Sequence, residues 1–117
     1  MAKFMFVYRN APHQPEPSPE EMQQAMQVWM KWIEDGMQAG WLLDGGDALC
    51  PSGRLVAPDC TVTDGPFAES KELVSGYSMI EAADYDTAVA YAKTSPMITE
   101  HHGFVEVRQL ADVGKED

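Results

Sequence analysis

Val62-Thr63-Asp64-Gly65-Pro66-Phe67-Ala68-Glu69-Ser70-Lys71-Glu72 lies near the middle of the chain and decides how the rest divides. Thr61-Val62-Thr63 is β-branched and reads as extended. Asp64-Gly65-Pro66-Phe67 is turn chemistry: the Asp carboxylate accepts backbone N–H bonds and Gly65 supplies a special φ. Leu73 to Glu81 then reads as a strand. The turn therefore separates two βαβ-like halves.

Upstream, Lys3 to Tyr8 is the first strand. Phe4, Phe6 and Tyr8 share one face, and Met5 and Val7 share the other, so both faces are apolar, as in the middle of a sheet. A Pro-rich loop from Asn10 to Pro17 carries His13. Ser18-Pro19-Glu20-Glu21 opens a helix with a cap, a proline at the first helical position and a capping box. That helix is expected to end at Ala39, with Gly40 as its stop. Its apolar stripe is Met22, Ala25, Met26, Trp29, Ile33 and Met37, widened by Trp32 and Met30. The stripe is either a wide core face or a surface for a partner subunit. Trp41 to Leu49 reads as a second strand interrupted by a bulge at Gly45-Gly46. Arg54 to Ala57 is a possible extra strand beyond a Pro51-Ser52-Gly53 turn.

Downstream of the central turn, Asp84 caps a second helix that runs to about Thr94, with Ala88, Val89 and Ala92 inward and Pro96 ending it. Phe104 to Leu110 is the last strand, with Val105 and Val107 on one face and Glu106 and Arg108 on the other. The single domain spans residues 1–111, and a polar tail follows at 112–117. The order is strand, helix, strand, strand, helix, strand. This is the ferredoxin-like split βαβ: an α+β fold with an antiparallel sheet covered on one face by two helices. Because both faces of the first strand are apolar, the open face is expected to be hidden against a second copy, in a homodimer.

Composition narrows the function. The 117 residues suit one domain, and 44% hydrophobic with 23% charged is ordinary for a globular protein. Nineteen acidic residues against eight basic ones give a net charge of −11. That balance argues against nucleic acid and anionic membrane as partners, since both require a positive footprint. No apolar run is long enough for a transmembrane helix. The apolar start reaches Arg9 and Asn10 too soon for a signal-peptide core, so a cytoplasmic location is expected. Cys50 and Cys60 flank a turn and could face each other across a hairpin. They are not expected to form a structural disulfide in a reducing compartment. Neither they nor the adjacent His101 and His102 have metal-ligand spacing, and no metal or cofactor is implied.

The run from Val62 to Glu72 resembles the DGPF-domain proteins, a branch of the YCII-related family. Ser18-Pro19-Glu20-Glu21, Gly76-Tyr77, the Asp84 to Ala92 helix and Val105-Glu106-Val107-Arg108 extend the resemblance over nearly the whole chain. It implies a dimeric α+β barrel, two ferredoxin-like sheets packed face to face. The wider family is credited with a His on the first helix and an Asp preceding a Pro after the second. Carried over by position, these fall on or near Trp29 and on Ser95. Neither catalytic side chain is present, and the first helix contains no His.

Three readings of function follow, the last of them a purely structural dimer. The first is a homodimeric small-molecule-binding or regulatory module whose cleft uses Tyr8, Phe67, Glu69 and Tyr77. The second is a small lyase or isomerase with Asp64 abstracting a proton and His13 or Tyr77 assisting. Against the second, an Asp that accepts backbone N–H bonds in its own turn is a weaker base. Glu69, Lys71 and Glu72 are either a paired cluster that orders the loop or a solvated edge. His101 and His102, adjacent in a turn, are expected to face solvent.

Overall fold

The alternation along the first strand organises the molecule. The computed structural model describes residues 1–10, 17–50, 52–64 and 73–111. The elements in chain order are β1 (Ala2–Asn10), α1 (Pro19–Ala39), β2 (Leu42–Asp44), β3 (Arg54–Val56), β4 (Val62–Asp64), β5 (Leu73–Ala82), α2 (Tyr85–Lys93), α3 (Pro96–Thr99) and β6 (Phe104–Gln109). Strand β1 lies between β5 and β6, antiparallel to both, and β2 flanks β5, giving the order β2-β5-β1-β6. The fold is α+β, with the ferredoxin-like order of its four main strands.

Phe4, Phe6 and Tyr8 are buried on one face, as their alternation requires, and they meet Ile80 and Leu42 from neighbouring strands. Ala88 and Ala92 of α2 and Met97 of α3 close over them, with Trp29, Trp32 and Ile33 of α1 packed against the same core. The other face carries Met5 and Val7, half-buried, paired across β5 with Met79 and Tyr77. On the β6 side Arg9 bridges Glu106 at 2.7 Å, and Arg108 bridges it at 3.0 Å. Hydrogen bonds from Arg108 first and then Arg9 hold the Glu106 carboxyl below its usual range.

Local chemistry sets the ends of α1. The Ser18 hydroxyl accepts from the Glu21 N–H, and the Glu21 carboxylate accepts from the Ser18 N–H, both at 3.1 Å. Gly40 closes the helix at φ 89°, where its N–H bonds the Gly36 and Met37 carbonyls. The interior differs from expectation. Met22, Met26, Met30 and Met37 stand exposed, and only Gly36 is buried. The helix meets the core through Trp29, Trp32 and Ile33 and, at its C-terminal end, through Gly36, which packs against Leu42 of β2.

Three further corrections are local. The second strand is only Leu42–Asp44, because Gly46 takes φ 70° and breaks the ladder, which resumes as a single bridge from Ala48 to Gly76. Val89 lies at the exposed limit of α2 rather than inward. Pro96 does end α2, but it also starts the one-turn α3. The extra strand at Arg54 is present and pairs with β4 in a separate, exposed two-stranded sheet.

The three tryptophans form one train with their neighbours. Ring centroids are 5.9 Å apart for Trp29 and Trp32, 5.4 Å for Trp32 and Trp41, and 4.2 Å for the stacked Trp41 and Tyr91.

Candidate functional site

Where α1 stands off the sheet it leaves a cavity of about 380 Å³. From α1 come Met26, Trp29, Met30 and Ile33; from β1, Tyr8 and Asn10. The Gly45–Ala48 segment forms a further wall with Ser75, Gly76 and Tyr77 of β5, and Met97 and His101 close the end beyond α2.

Each polar group in the wall is placed by an identifiable contact. The Tyr8 hydroxyl donates to Ser78 Oγ at 2.7 Å, which donates in turn to the Gly45 carbonyl at 2.8 Å. This relay ties the glycine turn to the sheet. Asp44 Oδ1 accepts from the Gly46 N–H at 2.8 Å, and the Asp47 carbonyl accepts from the Tyr77 N–H at 3.3 Å. Gly46 has no room for a side chain, since a Cβ there would overlap the Tyr77 carbonyl oxygen. His101 arrives through α3: its N–H bonds the Pro96 carbonyl at 3.0 Å, and its Nε2 accepts from Trp29 Nε1–H at 2.9 Å. Trp29 also lies edge-on to Tyr8, with ring centroids 5.0 Å apart.

Asn10 Nδ2 donates to Ser75 Oγ at 3.3 Å, and Ser75 Oγ donates to the Tyr8 carbonyl at 3.3 Å. Asn10 Oδ1 is buried, with no hydrogen-bond partner among the described residues.

Burial pushes the Tyr8 phenol up to about 12 from 10.0, only partly offset by its bond to Ser78. The folded protein therefore prefers the neutral phenol. Its contribution to stability is complete below the unfolded pKa near 10.0 and is lost as pH rises through about 12. We expect stability to fall by up to about 1.4 kcal/mol per pH unit across that window on this account. Urea midpoints of the wild type and Tyr8→Phe between pH 9 and 12 check this: the wild type should show the extra alkaline slope and the variant should lack it.

Two of the sequence-derived site residues, Tyr8 and Tyr77, border the cavity, with Tyr8 on the core face of the sheet and Tyr77 beside Val7 on the other. Asp64 does not line it. Its side chain is 76% exposed on β4 and paired with Arg54 across the two-stranded sheet. His13, Phe67 and Glu69 lie outside the described residues, as do Lys71, Glu72, the 65–67 part of the central turn, Pro51 and the 112–117 tail. His101 corrects an expectation: it is half-buried against Trp29, while His102 stays exposed at φ 53°. Asn10 and Asp47 carried no sequence signal. Cys50 and Cys60 are free and exposed, and among the described residues no three His, Cys, Asp or Glu side chains converge on a metal position. No helix of the described residues is long and apolar enough to cross a membrane.

Fold and site together define a ferredoxin-like α+β domain with an apolar cavity between its first helix and its sheet. The YCII-related domain model matches residues 2–113. The chain belongs to the YCII-related family. It is also similar to an uncharacterized protein of Rhizobium meliloti (strain 1021), 40% identical over 58 residues, a match that spans 50% of this chain and 47% of that protein. Of the residues reached by the positional expectation, at or near the first-helix position Trp29 contacts the imidazole of His101, and Ser95 is fully buried with its Oγ unpartnered among the described residues.

Proposed function

We propose that this chain is a homodimeric small-molecule-binding module, with its ligand in the cavity between α1 and the sheet. The observation that carries the ligand reading is the cavity itself, whose lining is mostly apolar and aromatic. The apolar lining suits a ligand of modest size, since a cavity of about 380 Å³ lies at the small end of small-molecule sites.

Catalysis is the weaker reading. The Tyr8 phenol is held neutral, and the Nε2 lone pair of His101 is engaged by Trp29. Asp64 stands exposed beside Arg54. The homodimer reading is supported by the open sheet face, where Met5, Val7, Tyr77 and Met79 form an apolar centre beside the Arg9–Glu106–Arg108 pairing.

Two experiments test the parts separately. Light scattering at micromolar concentration is expected to give twice 13.0 kDa for the wild type, and a mass near 13.0 kDa for a folded Val7→Arg variant. A monomeric wild type removes the dimer. A thermal-shift screen of small apolar amines, alcohols and acids is expected to yield stabilising compounds whose effect disappears in Ala48→Trp, which fills the cavity. No stabilising compound, or stabilisation that survives Ala48→Trp, removes the ligand site.

A further inference from the structure

We infer that the occupant of the cavity is a small protonated amine with an apolar body. This rests on the reading of the cavity as a ligand site and adds the chemistry of the ligand.

The sign of charge in the wall is the first argument. Asp47 is the one carboxylate among the described lining residues, and no Lys or Arg is among them. Its closest polar contact is the Tyr77 hydroxyl at 3.5 Å, at the long limit for a hydrogen bond. His101 adds no positive charge while its bond to Trp29 is intact. An indole N–H only donates, so Nε2 is the acceptor in that bond.

Hydrogen-bond polarity points the same way. The Trp29 N–H is spent on His101, and the Tyr8 O–H is spent on Ser78. Among the described lining residues the exposed Asp47 carboxylate is the anionic acceptor, engaged only at 3.5 Å by the Tyr77 hydroxyl. An ammonium group brings three donors and a positive charge. A carboxylate brings neither, and burying it beside Asp47 without a cation carries a desolvation cost that nothing in the described wall offsets.

The rest of the wall fits the remainder of such a ligand. Trp29 and Tyr8 present aromatic surface of the kind that attracts cations. Met26, Met30, Ile33 and Met97 accommodate an apolar body of variable shape. The chain's charge of −11 draws cations toward it and repels anions.

Three probes share one body and differ only in the head: phenethylamine, phenethyl alcohol and hydrocinnamate. Calorimetric titration of the full-length protein at low salt is expected to show the amine binding about tenfold or more tightly than the alcohol, with the acid weakest. Asp47→Asn is expected to bring the amine down to the alcohol while leaving the alcohol unchanged. The variant should fold, because the Asp47 backbone carbonyl makes the bond to β5. Should it not fold, the wild type still decides: amine affinity must weaken as salt rises, and alcohol affinity must stay level. If the alcohol or the acid matches the amine, the ligand class is wrong while the ligand site stands. If none of the three binds, both readings fall.

Discussion

Phe6→Ala is expected to lower the unfolding free energy by about 3–5 kcal/mol, the largest loss any single side-chain truncation should cause in this molecule. Phe6 is fully buried in β1, the strand paired on both edges, opposite Ser78 of β5 and Val107 of β6. Strands on both sides hold the backbone, so the site cannot collapse around the missing ring, and a cavity remains. A domain of this size has only about 5–15 kcal/mol in total, so the variant should sit near its folding threshold. Urea unfolding followed by far-ultraviolet circular dichroism measures the loss. A shift below about 1.5 kcal/mol would contradict the core position assigned to Phe6. Val7→Ala, one residue along and facing the open side of the sheet, is the internal comparison. In a monomer it should cost far less, and a covered face would raise its cost.

Gly46→Ala is the second large effect. At φ 70° a residue with a Cβ carries a conformational penalty of about 1–2 kcal/mol. Its Cβ would also overlap the Tyr77 carbonyl oxygen, which belongs to the backbone of a central strand and has little freedom to move. Relieving the overlap should add about 1–3 kcal/mol and displace the Gly45–Ala48 wall of the cavity. Gly40→Ala isolates the first term. Gly40 has φ 89°, but a Cβ there would meet nothing within 4 Å. Chemical denaturation of both variants should show Gly46→Ala as clearly the worse. Equal losses would mean that the wall yields and that the steric term is absent.

Much of the architecture could be read from local chemistry. The alternation of Phe4, Phe6 and Tyr8 against Met5 and Val7 marks β1 as an interior strand, and the Ser18–Glu21 box and Gly40 bracket α1 to the residue. The element order then leaves few topologies. The cavity was much less legible, because its polar geometry is made between residues far apart in the chain. The Trp29–His101 bond joins residues 72 positions apart, and the Tyr8–Ser78 bond joins residues 70 apart. Adjacent histidines before a glycine look like an exposed turn, and only the one-turn α3 carries His101 back to α1. The methionines misled for a related reason. Periodicity identifies a stripe but not its depth: Trp29, Trp32 and Ile33 pack against the core, while Met26 and Met30 stay exposed among the residues that line the cavity. Asp64 shows the limit of motif reading: it lies on the two-stranded β3–β4 sheet, paired with Arg54, and does not line the cavity.

The tryptophan train has an optical consequence. Dipolar coupling between chromophores falls with a steep power of their separation, and adjacent indoles here lie less than 6 Å apart. Excitation absorbed at Trp32 or Trp41 migrates among the three rings before emission, so intrinsic fluorescence reports on them as one antenna. Trp29, which bounds the cavity and contacts an imidazole able to quench it, is where that shared signal meets whatever enters.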